Sequence, residues 1–391
     1  MISQTMAVIT INLRSIPQRW GMSLSTIVSI ALVVGVLLGF MAMANGFRAT
    51  VQSSGSDVIA VIVRGGAQSE INSNFDRDTV RLVEAAPGVA RDGDGKAILS
   101  PELYVVVEGV KRSSGAGANL PLRGVGDAAD ALRENFTMLE GRMFAEGSNE
   151  LVVGEGVIRE FSGFDLDTTI RLGTGEWRVV GVFSTGGSVF DSEIWADVGV
   201  IQNLYQRGGS FQSIRVRLED ETALDRLREY VDAEPRLDLD ISTERQYFAD
   251  SAGGLADVIM FLGWPLVIIM ATGALAGAWN AMYASVDSRM REIATLRTLG
   301  FSGFAAFMGT MAESLLLALI GGVIGAAITY LIFDGISAST LGGSFTQIVF
   351  SFAVTSKAMI NGVILALIVG LIGGFFPALR ASRVPLLSVH G

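Results

Sequence analysis

The 391 residues predict a polytopic α-helical membrane protein, four transmembrane helices with an inserted α+β extracytoplasmic domain of two lobes. Three observations carry this. First, Leu24 to Ala44, Val258 to Ala284, Ser314 to Phe333 and Ala358 to Phe376 each run 19 to 27 residues without a formal charge. As helices, such stretches cross a hydrocarbon core of about 30 Å. Second, the segment between the first two is as charged as a soluble protein. Third, the net charge of −10 divides unevenly: Phe47 to Asp257 holds 35 acidic and 21 basic residues, and the remainder 8 basic and 4 acidic. The division expected is 1–23 interfacial, 24–46 first helix, 47–257 exterior domain, 258–284 second helix and 285–303 cytoplasmic loop. Then follow 304–333 third helix, 334–357 short exterior loop, 358–379 fourth helix and 380–391 cytoplasmic tail.

Orientation follows from basic residues in short loops. Arg14 and Arg19 precede the first helix, Arg289, Arg291 and Arg297 lie between the second and third, and Arg380 and Arg383 follow the fourth. Lys357 is the only basic residue in the loop after the third. Both termini and the 285–303 loop are expected in the cytoplasm of a bacterial inner membrane, with the large domain in the periplasm. Ile9, Ile11, Leu13 and Ile16 beside Arg14 and Arg19 suit an amphipathic helix on the membrane face, Pro17 limiting it; a loose juxtamembrane arm is the other reading. Ala42-Met43-Ala44 resembles a signal-cleavage site, but the apolar run exceeds the usual ~7–15 residue signal core, so a retained anchor is expected. With no cysteine, disulfides and thiolate metal sites are excluded. An acidic exterior offers no footprint for nucleic acid.

Within the exterior domain, Ile59–Arg64, Tyr104–Val110, Leu151–Val153, Thr169–Leu172, Trp177–Phe183 and Ile214–Leu218 read as strands. Asp78 to Ala86 and Glu221 to Ala233 have helical spacing. Ser213–Leu218, Thr222–Val231 and Leu237–Ile241 form a strand–helix–strand unit. Gly115–Gly117 and Gly208–Gly209 read as loop tips, and most carboxylates as solvated surface. Thr243 to Asp257 runs into the second membrane helix with few breakers, so a continuous helix would carry movement across that boundary.

The loop Ser288-Arg-Met-Arg-Glu-Ile-Ala-Thr-Leu-Arg-Thr-Leu-Gly-Phe-Ser302 is the sharpest motif. Ile293, Leu296 and Leu299 recur at three-residue steps, Arg291, Glu292 and Arg297 fall on other faces, and Gly300 suits the position past a helix end. Such a helix lays apolar residues into a partner's groove while its charges fix register; alternatively the loop is basic only to set topology. Glu313 is the only carboxylate in the third apolar region. It is either a functional intramembrane group or an anchor near the interface. Gly35/Gly39, Gly273/Gly277, Gly321/Gly325 and Gly370/Gly374 are Gly-x-x-x-Gly pairs, suited to close helix approach, as ordinary packing or a dimer seam. Pro265 is a kink that serves as a hinge or simply relieves packing.

The run Arg291-Glu-Ile-Ala-Thr-Leu-Arg-Thr-Leu-Gly300, Glu313-Ser-Leu315 and Phe376-Pro-Ala-Leu-Arg-Ala-Ser-Arg-Val-Pro385 resemble the FtsX-like/MacB-type ABC transporter permeases. Leu139-Glu-Gly-Arg142, Glu150-Leu-Val-Val-Gly154 and Val179-Val-Gly-Val182 are similar to their exterior domain. The resemblance covers nearly the whole chain, with 258–385 as the permease core. It implies a dimer, of two copies or with a homologue, whose coupling helix docks on a cytoplasmic ABC ATPase through Arg289, Arg291, Glu292, Leu296, Arg297 and Gly300. It implies mechanotransmission to a substrate, or to a periplasmic adaptor, lipoprotein or hydrolase.

The sequence contains no Gly-x-x-x-x-Gly-Lys-Ser/Thr: of three lysines, Lys96 follows Gly95 but precedes Ala97, and Lys111 and Lys357 lack the glycine. ATP and Mg are therefore expected on a partner chain, and no cofactor on this one. His390 is the only histidine, so catalytic triads and histidine metal sites are not expected. Two other classes stay open: a regulator passing force to a cell-wall hydrolase, and an anchored sensor without an ATPase.

Overall fold

The computed structural model describes the backbone of residues 2–67, 69–173, 175–220, 222–341 and 347–384, with side chains throughout except at 2, 3, 251–256 and 341. Most of the expected cytoplasmic tail, including Pro385 and His390, lies outside the described residues, as does Glu221. The chain divides into two compact units: 1–45, 257–336 and 352–391 form one, and 46–256 with 337–351 the other.

Helix α1 (Ile2–Arg14) and a 3₁₀ turn at Ile16–Arg19, where Pro17 fits an N-terminal position, precede α2 (Trp20–Gln52). The second unit then follows in chain order. Its first part is β1 (Ile59–Arg64), α3 (Arg77–Glu84), β2 (Leu99–Lys111), β3 (Gly117–Val125), β4 (Thr137–Gly141), β5 (Glu150–Gly154), α4 (Glu155–Glu160) and β6 (Phe161–Ser162). Its second part is β7 (Thr169–Leu172), β8 (Gly175–Ser184), β9 (Ile194–Asp197), α5 (Val198–Leu204), β10 (Ser213–Arg217), α6 (Ala223–Ala233) and β11 (Leu239–Thr243). Strands β1 and β7 coincide with the segments the sequence predicts, because both are rich in β-branched residues and flanked by turn residues.

All eleven strands join in one sheet, ordered β11-β1-β10-β2-β3-β9-β5-β8-β4, with β6 on β2 and β7 on β8. The two lobes are therefore two cores on a shared sheet. Ile62, Val83, Ile214, Val216, Leu227 and Val231 centre the first, under α3 and α6. Leu120, Leu122, Val153, Phe161, Trp177 and Ile194 centre the second. Strand β3 starts at the expected loop tip Gly117; its Pro121, which donates no backbone hydrogen bond, obscures it in the sequence. Glu70, Glu102, Asp191, Glu193 and Glu244 are buried, exceptions to the solvated surface expected of most carboxylates.

Helix α7 (Glu244–Ser288) is one uninterrupted element of 45 residues, running through Pro265. After α8 (Met290–Thr298) and α9 (Gly303–Phe333), the expected short loop is a hairpin, β12 (Ser337–Leu341) and β13 (Gln347–Ser351). The hairpin belongs to the sheet unit: Val349 enters the second core and its amide donates to Ser192 Oγ at 2.8 Å. Helix α10 (Ser356–Ser382) closes the described chain, its Thr355 cap accepting from the Ala358 amide.

Among the described residues, four helices are long and apolar enough to cross a membrane, at Ile16–Gln52, Asp257–Ser288, Gly303–Phe333 and Ser356–Ser382. In their unit, Ile30, Val34, Leu38, Ala318, Ala326 and Ala366 pack inward, while Phe261, Leu262, Ile269 and Leu331 stay exposed, as lipid-facing side chains do. The glycine pairs divide. A Cβ on Gly325 would stand 2.6 Å from the Ala31 carbonyl oxygen, one on Gly321 2.8 Å from that of Ile27, and those on Gly370 and Gly374 within 2.5 Å of Ala318 and Ser314 side chains. Gly35 and Gly277 have looser neighbours, and Gly39 and Gly273 have none within 4 Å. Close approach inside the chain thus accounts for α9 and α10 but not for every pair.

Candidate functional site

Helix α8 has the short amphipathic form read from the loop. It ends at Gly300, whose φ of +93° is a conformation that suits glycine. The Gly300 amide donates to Arg297 O and the Phe301 amide to Leu296 O, both at 3.1 Å. This double closure satisfies carbonyls that a helix end leaves open. Ser302 Oγ then caps α9 by accepting from the Ala305 amide at 3.2 Å.

The apolar face of α8 turns inward. Ile293 and Ala294 pack with Val286, Ala306, Ala381 and Val384, from the end of α7, the start of α9 and the end of α10. Arg291, Glu292, Thr295, Thr298 and Leu299 form the outward side, with Leu299 72% exposed. Leu296 is half-buried. Of the three apolar steps seen in the sequence, only Leu299 is left wholly for a partner. Ile293 serves the chain's own packing, because a nine-residue helix is marginal without tertiary contacts. Arg297 donates to Ser382 O at 3.1 Å and also to Val384 O, tying α8 to the end of α10.

Arg289 lies just before α8 and is buried. Its Nε donates to Glu292 at 3.1 Å, its Nη1 to Glu313 at 3.4 Å and its Nη2 to Asn12 Oδ1. Glu313 is also buried and collects further partners. Arg19 Nη2 stands 3.5 Å from Glu313 Oε1, and Ser285 Oγ donates to the same oxygen at 3.2 Å. Arg19 in turn donates to Ser285 Oγ, and to Ser15 Oγ at 2.7 Å. One carboxylate thus gathers the starts of α2 and α8, the end of α7 and the middle of α9, with Asn12 of α1 on the same arginine. Two guanidinium groups and a hydroxyl supply what a buried carboxylate requires. On this geometry Glu313, in the middle of α9, is held by groups from the ends of its neighbouring helices.

Sequence reasoning counts Arg19 toward topology and the amphipathic lead, and misses its pairing with Glu313 along with Asn12, Ser285 and Gly309. Gly309 lets α1 lie on α9: a Cβ there would stand 2.6 Å from Asn12 Nδ2 and 2.9 Å from Val8. The signal available was Glu313 itself, since an ionisable group in an apolar segment requires partners. Asn12 inside an apolar lead is the corresponding hint.

Residues 23–234 match the MacB-like periplasmic core domain, and residues 265–386 the FtsX-like permease C-terminal. The macrolide export ATP-binding/permease protein MacB 1 of Aeromonas hydrophila is 25% identical over 84% of this chain and 55% of its own length. An uncharacterised ABC transporter permease of Methanocaldococcus jannaschii is 22% identical over 66% of each. The chain therefore spans between half and two-thirds of these relatives. Among solved structures, the periplasmic region of MacB from Actinobacillus actinomycetemcomitans covers 51% of this chain and 94% of its own, at 16% identity and a TM-score of 0.39. The extracellular domain of YknZ from Gram-positive bacteria covers 47% and 99%, at 12% identity and a TM-score of 0.34. With more than half the chain matched by the first family and most of the remainder by the second, this protein belongs to the ABC permeases that join a MacB-like periplasmic core domain to an FtsX-like C-terminal region.

Proposed function

We propose that the chain is the permease subunit of an ATP-driven machine in a bacterial inner membrane, with both termini cytoplasmic and its sheet domain in the periplasm. It dimerises and docks through α8 on an ABC ATPase, where ATP and Mg are bound. The observation that carries this reading is the two-sided anchoring of α8. Its inner face is packed, and its ends are tied through Arg289 to Glu313 and through Arg297 to the end of α10. Its outer face presents Arg291, Glu292, Thr295 and Leu299. A docking helix fixed on one side and exposed on the other passes displacement into the helices that hold it.

The work done outside is the export or extraction of a substrate. The name of the Aeromonas hydrophila relative points to macrolide export for that protein, and lipoprotein release or an adaptor-linked exporter suits the same layout. The test is purification of the chain from its native membrane in mild detergent, with mass spectrometry of what accompanies it. A Walker-type ATPase near one-to-one supports the reading, and Arg291→Glu with Leu299→Asp should then abolish that association without impairing membrane insertion. A periplasmic hydrolase as the sole exterior partner would favour the force-transmitting regulator instead. An intact preparation with no ATPase would overturn the proposal in favour of an anchored sensor.

A further inference from the structure

The face of the large sheet opposite its two cores carries seven buried charges. Along β10, Ile214 and Val216 enter the first core while Arg215 points to the other side; along β3, Leu122 enters the second core while Arg123 does likewise. Arg123 binds two carboxylates in fork geometry, Glu193 at 2.7 and 2.8 Å and Glu70 at 3.0 Å twice, and reaches Glu102 at 2.9 Å. Arg133 donates to Glu102 at 2.8 Å. Arg215 donates to Glu70 at 2.8 Å, to Glu102, and through Nε to Glu244 at 3.0 Å. Phe190 lies under both Arg133 and Arg215, with guanidinium carbons 4.4 and 5.5 Å from its ring centroid.

Glu244 differs from the other six in two respects. It is the first residue of the 45-residue helix α7, whereas the others belong to the sheet and its loops. It is also the unbalanced charge. Arg123, Arg133 and Arg215 offset Glu70, Glu102 and Glu193, so the cluster without Glu244 is neutral and with it carries one net negative charge. The first turn of α7 has neighbouring contacts on the same face: Tyr247 Oη accepts from the Glu70 amide at 3.1 Å, and Phe248 meets Phe190 edge-on at 5.6 Å. Gly55 permits the approach from the other side, since a Cβ there would fall 2.2 Å from the Arg245 Cα.

We infer that Glu244 is a releasable latch, fixing the start of α7 to the sheet between the two cores through Arg215. On release, the carboxylate regains water while the charges left behind remain balanced, so the cluster stays folded as the helix end comes free. This gives α7 two states at its periplasmic end, docked and undocked, without breaking either core. The inference stands on the sheet unit alone and does not depend on the ATPase reading.

Amide hydrogen exchange on the full chain in lipid nanodiscs tests it. Phe248 and Ala249 amides report the first turn of α7, and β1 and β10 amides report the sheet. Glu244→Ala should raise exchange at Phe248 and Ala249 by roughly tenfold to a hundredfold, the effect of losing one charge-assisted hydrogen bond. Protection in β1 and β10 should hold, and Glu244→Gln, which keeps an acceptor for Arg215 Nε, should stay near wild type. Unchanged exchange at Phe248 and Ala249 in Glu244→Ala would overturn the latch. Parallel loss of protection in β1 and β10 would overturn it too, by making Glu244 an integral part of the sheet's stability.

Discussion

Replacing Glu313 by alanine isolates the node beneath α8. The change leaves Arg289, whose side chain is 6% exposed, and Arg19, at 13%, without their shared carboxylate. Deleting one partner of a buried ion pair costs about 3–5 kcal/mol. Arg289 keeps Glu292 and Asn12, and Arg19 keeps Ser285 and Ser15, so the lower end of that range, about 3 kcal/mol, is expected. That energy corresponds to roughly a hundredfold increase in the population with the junction open. The chain has no cysteine, so a single Ala294→Cys in the packing behind α8 reports opening without background. In nanodiscs, its modification by a thiol reagent should speed up about a hundredfold when Glu313→Ala is added. With Glu313→Gln, which still accepts a hydrogen bond, the acceleration should be closer to tenfold. A rate unchanged by Glu313→Ala would refute the claim that this carboxylate holds α8 in place.

Charge reversal at Arg297 should loosen α8 from the end of α10, because its two carbonyl acceptors would face a carboxylate; a cysteine at Ala381 should gain reactivity, and one at Ala318 should not. Gly325→Val should disrupt packing of α9 on α2 and lower the melting temperature, whereas Gly39→Ala, with open space around it, should be neutral or gain about 0.5–1 kcal/mol from helix propensity. The sheet unit should lose stability in acid. Burial alone raises the Glu70 and Glu102 carboxyls, but Arg123, Arg133 and Arg215 outweigh it and hold both below the usual range. Their contribution is full above roughly pH 4.5 and declines as pH falls toward those depressed values. For Glu244 burial outweighs the arginines and raises the carboxyl, so the sheet unit gives up part of the stability of the protonated form as pH rises, while the bond to Arg215 Nε remains. Glu244→Gln should therefore melt at or above the wild-type temperature at pH 7, followed by tryptophan fluorescence from pH 3 to pH 8.

The sequence by itself determined the four long apolar helices, the inserted domain and the short amphipathic helix α8. Each is written locally: apolar runs of sufficient length, a polar insert, and a three-residue apolar step stopped at Gly300. Strands β1 and β7 were legible for the same reason, as was the unbroken path of α7 from the sheet into an apolar segment. Tertiary structure decided what those signals leave open. Arg215 alternates with Ile214 and Val216, and nothing local marks it or Glu102 as buried, yet the covered sheet face makes them part of a buried ionic layer. The β12–β13 hairpin carries a weak local signal, and only Ser192 and the second core give it a place in the sheet unit. Ile293 and Leu299 share one periodic stripe, and packing against Val286 and Ala381 buries the first while leaving the second exposed. Glu313 meets Arg19 and Arg289 across 294 and 24 positions of chain. Pairing over such separations is set by how the helices come together, and no local pattern of residues records it.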